Sequence, residues 1–383
     1  MPTFSAANGL PQLSDFAQKN LGGSPPINRK ETAMRMLRSA LALSSVLVLG
    51  LASCSTSGGS KNSSDSPSSP VSAAPSVSSS NSANVPKGDG SKTIYLVSKG
   101  FQHRFWQAVK QGAEQAGKEF NYKIEFVGPD NEQATQQQLD QLKTALAQKP
   151  AAIGFAALDS GSAEPVLEEI QQAGIPMVAF DSGVDSTIPK TTVSTDNKAA
   201  AGVAAKHMSE LLGGKGTVGM VCHDQTSATG KQRCEGFQEW MKTNAPDIKL
   251  LEPQYAGEVG LAANTSKALI TANSDINGIY GSNEATAIGA LQGVNESGKK
   301  LTLVGFDSGK AQIDAIKAGT EAGAITQAPV KMGYETVIAG IKAANGMELP
   351  PTIDSGYSWF DKDNMTDPAI AQSLHDGLIL PAG

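Results

Sequence analysis

At 383 residues the chain is long enough for two domains, each with a core of its own. The formal net charge is -6, and residues 1–53 carry five bases (Lys19, Arg29, Lys30, Arg35, Arg38) against two acids (Asp15, Glu31), so the remainder is more acidic still. An acidic body without a basic run has no electrostatic footprint for nucleic acid, which excludes that class of partner.

Taken in order, the first informative segment is Arg29 to Cys54. Arg29, Lys30, Arg35 and Arg38 flank an apolar run, Leu41 to Ala52, of signal-peptide length and too short to span a bilayer comfortably. The run closes on Leu51-Ala52-Ser53-Cys54, which resembles the lipobox of bacterial lipoproteins. That resemblance implies export, cleavage before Cys54 and lipidation of its thiol. Residues 1–53 are therefore read as an N-terminal extension and signal peptide, with Met34 or Met36 as the expected start of translation. Residues 54–91 are read as the lipidated cysteine and a linker. Ser55 to Gly90 is dominated by Ser, Pro, Gly, Ala and Asn, which bury almost nothing, so a disordered tether is expected.

From residue 92 the pattern is strand, loop, helix, repeated. Strands are predicted over Thr93–Val97, Lys123–Val127, Ala151–Ala157, Pro176–Phe180 and Thr191–Ser194. After the first, Trp106, Val109, Ala113, Ala116 and Phe120 form one apolar helical stripe; Leu139, Leu142 and Leu146 form the next. A third helix carries Val166, Ile170 and Ala173 and stops at Gly174. The pattern restarts after Asp196-Asn197 with a helix carrying Val203, His207 and Leu211, then the strand Thr217–Cys222. A polar loop, His223 to Gln232, is expected to lead into a helix beginning near Arg233. Further strands are predicted at Lys249–Tyr255, Gly278–Gly281, Leu301–Phe306 and Ala322–Thr326. The fold class is α/β, two similar doubly wound parallel-sheet lobes with a ligand between their strand ends.

Common enzyme signatures are missing. Gly230-Lys231 and Lys215 are not followed by the Ser or Thr of a phosphate loop, no G-x-S-x-G elbow occurs, and the first strand runs into SKGFQHRF instead of a glycine-rich dinucleotide turn. Nothing implies a metal or a cofactor. Cys222 and Cys234 are equally compatible with a disulfide and with two buried free thiols. The strand ends offer Gln102, His103, Phe105 and Trp106 after the first strand and Asp181 after the fourth. In the second half they offer Arg233, Asn283, Glu284, Asp307 and Gln327. Asp accepts paired hydroxyls, Arg donates in a fork, Asn and Gln do both, and aromatic faces cover sugar C–H faces.

FWQAVKQGAEQAG, the restart at Thr195–Asn197, RCEGFQ, SNEATAIGAL, LVGFDS and ITQAP resemble, in order and spacing, segments of the ribose- and galactose-type periplasmic binding proteins of bacterial ABC importers. The likeness covers Thr93 to about Leu380. It implies lobes of 92–195 plus 328–354 and of 196–327 plus 355–383, joined by a three-segment hinge near Asp196, Ala328 and Ser355. It also implies a non-enzymatic monomer that captures a monosaccharide and delivers it to a membrane permease. Site residues implied are His103, Phe105, Trp106, Asp181, Arg233, Asn283, Asp307 and Gln327. Ser182 stands where ribose receptors carry Arg, and Glu258 where they carry an aromatic, so a ligand other than ribose is expected. Trp106 also lies on a core stripe, and His103 and Glu258 read equally well as solvated loop residues. Asp181, Asn283 and Asp307 are each common turn or cap residues taken singly. Asp130, Asn131 and Asp159 are secondary candidates, Arg104 a rim residue, and His207 and His375 structural or exposed. A sensor of a polyol or a furanose-like signal molecule is the alternative in the same class. A transcription regulator would need an N-terminal helix-turn-helix, and an α/β enzyme a nucleophile or cofactor loop.

Overall fold

The computed structural model describes residues 84–101 and 103–374; Cys54, Gln102, His375 and the signal and most of the linker segment lie outside that range. The chain begins with β1 (Thr93–Val97), α1 (Arg104–Phe120), β2 (Lys123–Val127), α2 (Thr135–Ala147), β3 (Ala152–Phe155), α3 (Glu164–Gln172), β4 (Met177–Phe180) and β5 (Thr192–Ser194). It continues with α4 (Asn197–Leu211), β6 (Gly216–Cys222), α5 (Ala228–Asn244), β7 (Ile248–Leu250), β8 (Gln254–Tyr255), α6 (Val259–Ala272), β9 (Ile276–Gly281) and α7 (Glu284–Ser297). The last part holds β10 (Thr302–Phe306), α8 (Lys310–Ala318), β11 (Gly323–Gln327), α9 (Pro329–Ala344), β12 (Thr352–Asp354), β13 (Tyr357–Asp361) and α10 (Pro368–Ala371). Among the described residues no helix is long and apolar enough to cross a membrane.

Two sheets result. The first runs β12-β5-β4-β3-β1-β2 and the second β13-β11-β10-β9-β6-β7, with β8 also on β6. Central strands such as β1 (TIYLV) and β10 (TLVGF) are almost wholly buried because helices cover both faces, which removes any need for polar alternation. The chain passes between sheets after β5, after β11 and after β12. Its three crossings meet: Thr195 Oγ1 donates to Gln327 Oε1 at 2.9 Å and lies 3.4 Å from Ser355 Oγ.

The helix carrying the first loop's aromatics is held from behind. Trp106, Val109, Ala113, Ala116 and Phe120 are all buried in one cluster with α9 residues Met332, Tyr334, Val337 and Ile338. α1 and α9 approach backbone to backbone: a Cβ on Gly112 would strike the Val330 carbonyl, and one on Gly333 the Val109 carbonyl. Only glycine admits that spacing.

Four departures from the sequence reading have local causes. Val203, His207 and Leu211 share a face of α4, but Leu211 is 51% exposed; the buried face is Ala200, Ala201, Ala204, Ala205 and Met208. Both faces have helical spacing, and small residues win because α4 packs tightly on α5. That helix starts at Ala228, five residues before the expected Arg233, because Ser227 caps it by accepting from Gly230 N. The strand expected over Lys249–Tyr255 is split into β7 and β8 around Pro253, which has no N–H for a ladder. Finally β12 and β13 follow Pro350-Pro351 without a sequence signal, and β13 pairs antiparallel with β11.

Candidate functional site

In both sheets the strand order reverses at one strand, β1 between β2 and β3, and β6 between β7 and β9. The crevice at such a reversal is where open α/β sheets hold ligands. Loops from both reversals and from neighbouring strand ends, with the first turns of α1 and α5, line a single small cleft. Lys99, His103, Phe105, Trp106, Glu132 and Asp181 line it from the first sheet's side. His223, Thr229, Arg233, Asn283, Asp307 and Gln327 line it from the other.

The second wall is a preorganised network. Arg233 is 3% exposed; its Nε donates to Asn197 Oδ1 at 2.8 Å and its Nη1 to the Ser282 carbonyl at 3.1 Å. The guanidinium lies 3.8 Å over the Phe306 ring and 3.7 Å from Asp307 Oδ2. Asp307 also accepts from Gln327 Nε2 at 2.6 Å and from Glu284 N at 3.0 Å. Asn283 caps α7 through Oδ1, accepting from Thr286 N at 2.9 Å, so its side-chain orientation is set by the helix it starts.

On the first wall Phe105 and Trp106 stack edge to face with centroids 4.9 Å apart. Trp106 is 2% exposed, so most of its ring is core, and its Nε1 donates to Glu132 Oε1 at 2.9 Å. His103 is the N-cap residue of α1 and its Nε2 has no hydrogen-bond partner. Asp181 is 5% exposed, and none of the described residues donates a hydrogen bond to its carboxylate. Asp181 and Asp307 both have left-handed backbone, φ 55° and 75°, a conformation that Asp tolerates better than most residues. In each case the turn directly follows a strand.

Charge is dense here. Burial pushes the Asp181 carboxyl up to about 6, against the opposing pull of Lys99 and Arg233. Burial also drives His223 down to about 4, so its ring is neutral at pH 7; Nδ1 sits 2.7 Å from Ser282 Oγ. Glu284, beside Asp307, is pushed by burial up to about 7. Burial opposes the Lys99 charge, but Glu132, Asp224 and Asp181 more than offset it, leaving an ammonium held above the usual lysine range.

The two sides touch directly. Lys99 Nζ donates to Thr229 Oγ1 at 3.1 Å and Ser227 Oγ at 3.4 Å. Ser160 N donates to the Thr226 carbonyl at 3.1 Å, Thr226 Oγ1 to the Leu158 carbonyl at 2.9 Å, and Lys231 Nζ to Ser160 Oγ at 2.8 Å. The cleft is closed.

Of the residues singled out from sequence, His103, Phe105, Trp106, Asp181, Arg233, Asn283, Asp307 and Gln327 line this one space. Ser182 and Glu258 do not. Ser182 is wholly buried, its Oγ 3.5 Å from Thr229 N, and Glu258 is exposed at the start of α6. Asn131 and Asp159 fold their own turns, accepting from Gln133 N and from Gly161 N and Ser162 N. Cys222 and Cys234 are disulfide-bonded, tying the end of β6 to α5 beside Arg233. Lys99, Glu132, His223 and Thr229 escaped the sequence reading. The strand-end rule, which after β2 stopped at Asp130 and Asn131, would have reached Glu132 one residue further on, and His223 if applied after β6.

Two α/β lobes closed over one polar cleft with an aromatic wall define a class of two-lobed ligand-capturing proteins. The chain belongs to the periplasmic binding protein domain family, whose model matches residues 94–348. The ribose import binding protein of Bacillus subtilis is 23% identical over 273 residues, covering 70% of this chain and 88% of that one. A carbohydrate transporter solute binding protein from Agrobacterium radiobacter, solved in complex with D-arabinose, is 29% identical with a TM-score of 0.71, covering 74% of this chain and 98% of that one. A Brachyspira murdochii structure described as an ABC transporter, LacI family transcriptional regulator, is 34% identical with a TM-score of 0.65, covering 75% and 99%.

Proposed function

We propose that this chain captures a neutral monosaccharide between its lobes and hands it to an ABC permease for import, with no covalent step. The observation that carries the reading is the convergence of Asp181, Asn283 and Asp307, from the ends of β4, β9 and β10, and of Arg233, from α5, on a space walled by Phe105 and Trp106. Carboxylates accept hydroxyl protons, the guanidinium and amide donate to hydroxyl oxygens, and the aromatic edge covers apolar ring face. A sugar completes contacts with both walls only in the closed form, so its differential affinity shifts the open–closed population toward closure. The receptor acts as a monomer, exported and tethered to the envelope through lipid on Cys54. The names of related import proteins, with ribose, allose and apiose, support an uptake role.

A thermal-shift screen against pentoses, hexoses, deoxysugars and polyols tests the reading, because a ligand that binds the native state raises the melting temperature by mass action. D-ribose, D-arabinose, D-allose and D-fucose form the first panel. A shift with amino acids or nucleotides and with none of the sugars overturns it. For the anchor, Cys54→Ser is expected to release the protein from membranes.

A further inference from the structure

Three cleft-wall side chains that sequence places far from β2 converge on one carboxylate. Glu132, in the loop after β2 and 11% exposed at its side chain, accepts the Trp106 indole N–H on Oε1 at 2.9 Å. The same oxygen lies 3.9 Å from His103 Nε2, and Oε2 lies 4.0 Å from Lys99 Nζ. Lys99 continues across the cleft to Thr229 and Ser227 on the opposite lobe. Burial opposes ionisation of Glu132, yet Lys99, His103 and the Trp106 hydrogen bond hold it below the ordinary carboxylate range, so it is an anion at neutral pH. Both oxygens thus face protein partners.

Resting on the sugar-capture reading, we propose that Glu132 is a positioning residue for the binding site: it sets the Trp106 ring as a wall and aims the Lys99 ammonium at the opposite lobe. Trp106 has little freedom about its own core contacts, but its indole edge is polar, and an N–H left without an acceptor in a buried wall is costly. Lys99 without Glu132 keeps Asp224 at 4.0 Å, a carboxylate of the other lobe, so the ammonium loses its only acidic partner within 4 Å on its own side among the described residues. Glu132 therefore couples the shape of one wall to contact with the other.

Two variants separate the roles. Glu132→Gln keeps a carbonyl acceptor for the indole and removes the charge; Glu132→Ala removes both. Hydrogen exchange of the Trp106 indole N–H is read by NMR on ¹⁵N-labelled protein, its resonance assigned by its loss in Trp106→Phe, with Trp240 and Trp359 reporting the intact fold. Exchange is expected to stay slow in Glu132→Gln and to quicken on the order of tenfold in Glu132→Ala. Affinity for whichever panel sugar raises the wild-type melting temperature most should weaken about tenfold in Glu132→Gln and about 100-fold in Glu132→Ala. Unchanged indole protection in Glu132→Ala overturns the proposal, and so does an affinity loss in both variants with no change at the indole, which would make Glu132 a direct ligand contact. If no panel sugar shifts the wild type, the sugar reading fails and the indole measurement alone decides the positioning.

Discussion

Asp181 offers a sharp test, because it is a buried anion to which none of the described residues donates a hydrogen bond, at a place where a ligand would supply donors. Its carboxyl is pushed by burial from 3.8 to about 6 in the ligand-free protein. If sugar hydroxyls return it to its ordinary value, binding is linked to proton release. The free form then holds its proton as pH falls through 6 while the bound form does not, so affinity is full above that range and lost below it. From about pH 7.5 to about pH 5 the loss is about tenfold, approaching about 100-fold at lower pH. Calorimetric titration in two buffers of different ionisation enthalpy should show about half a proton released near pH 6. Asp181→Asn should flatten that slope. It should also raise the melting temperature of the ligand-free protein at neutral pH: the folded value exceeds the unfolded one, so ionisation above it costs the native state up to about 3 kcal/mol. Equal slopes in wild type and Asp181→Asn, or a variant no more stable than wild type when free of ligand, would refute the reasoning.

Other consequences are structural. Glu321 is 1% exposed, accepts from Gln312 Nε2 at 3.3 Å and is pushed by burial up to about 8, so it folds as the neutral acid. Wild-type stability should therefore decline as pH rises from about 4.5 through 8, while Glu321→Gln does not, giving the variant an advantage of roughly 3–4 kcal/mol at the upper end by chemical denaturation and near parity at acid pH. The Cys222–Cys234 disulfide closes a loop with a sequence separation of 12. Replacing both cysteines by Ser should cost roughly 2–3 kcal/mol and, since the bond tethers the turn before Arg233, weaken ligand affinity as well. Gly112→Ala would drive a methyl group into the Val330 carbonyl. It should lower the melting temperature by an amount equivalent to about 1–3 kcal/mol, and near-wild-type stability would mean that α1 and α9 separate without cost.

Much of the fold was legible because its signals are local. The stripe Trp106, Val109, Ala113, Ala116, Phe120 is the buried face of α1, and the five N-terminal strands lie within a residue or two of where apolar runs placed them. Helix faces made of alanine were not legible: on α4 the larger Val203, His207 and Leu211 outweigh the small residues that pack. Nor was the antiparallel β13, whose pairing with β11 depends on where the chain returns after its third crossing.

By itself the sequence determined which side chains stand at strand ends, since strand length and turn chemistry are decided within a few residues. Asp181, Asn283, Asp307 and Gln327 are therefore candidates on local pattern alone. Tertiary structure decided which of those ends face each other. A lysine and a glutamate in surface-like loops, Lys99 and Glu132, become a buried and a largely buried partner where the two lobes meet, and the exposed Glu258 stays outside the cleft lining. Burial depends on contacts between residues more than a hundred positions apart, such as Lys99 with Thr229, and no local pattern encodes that meeting.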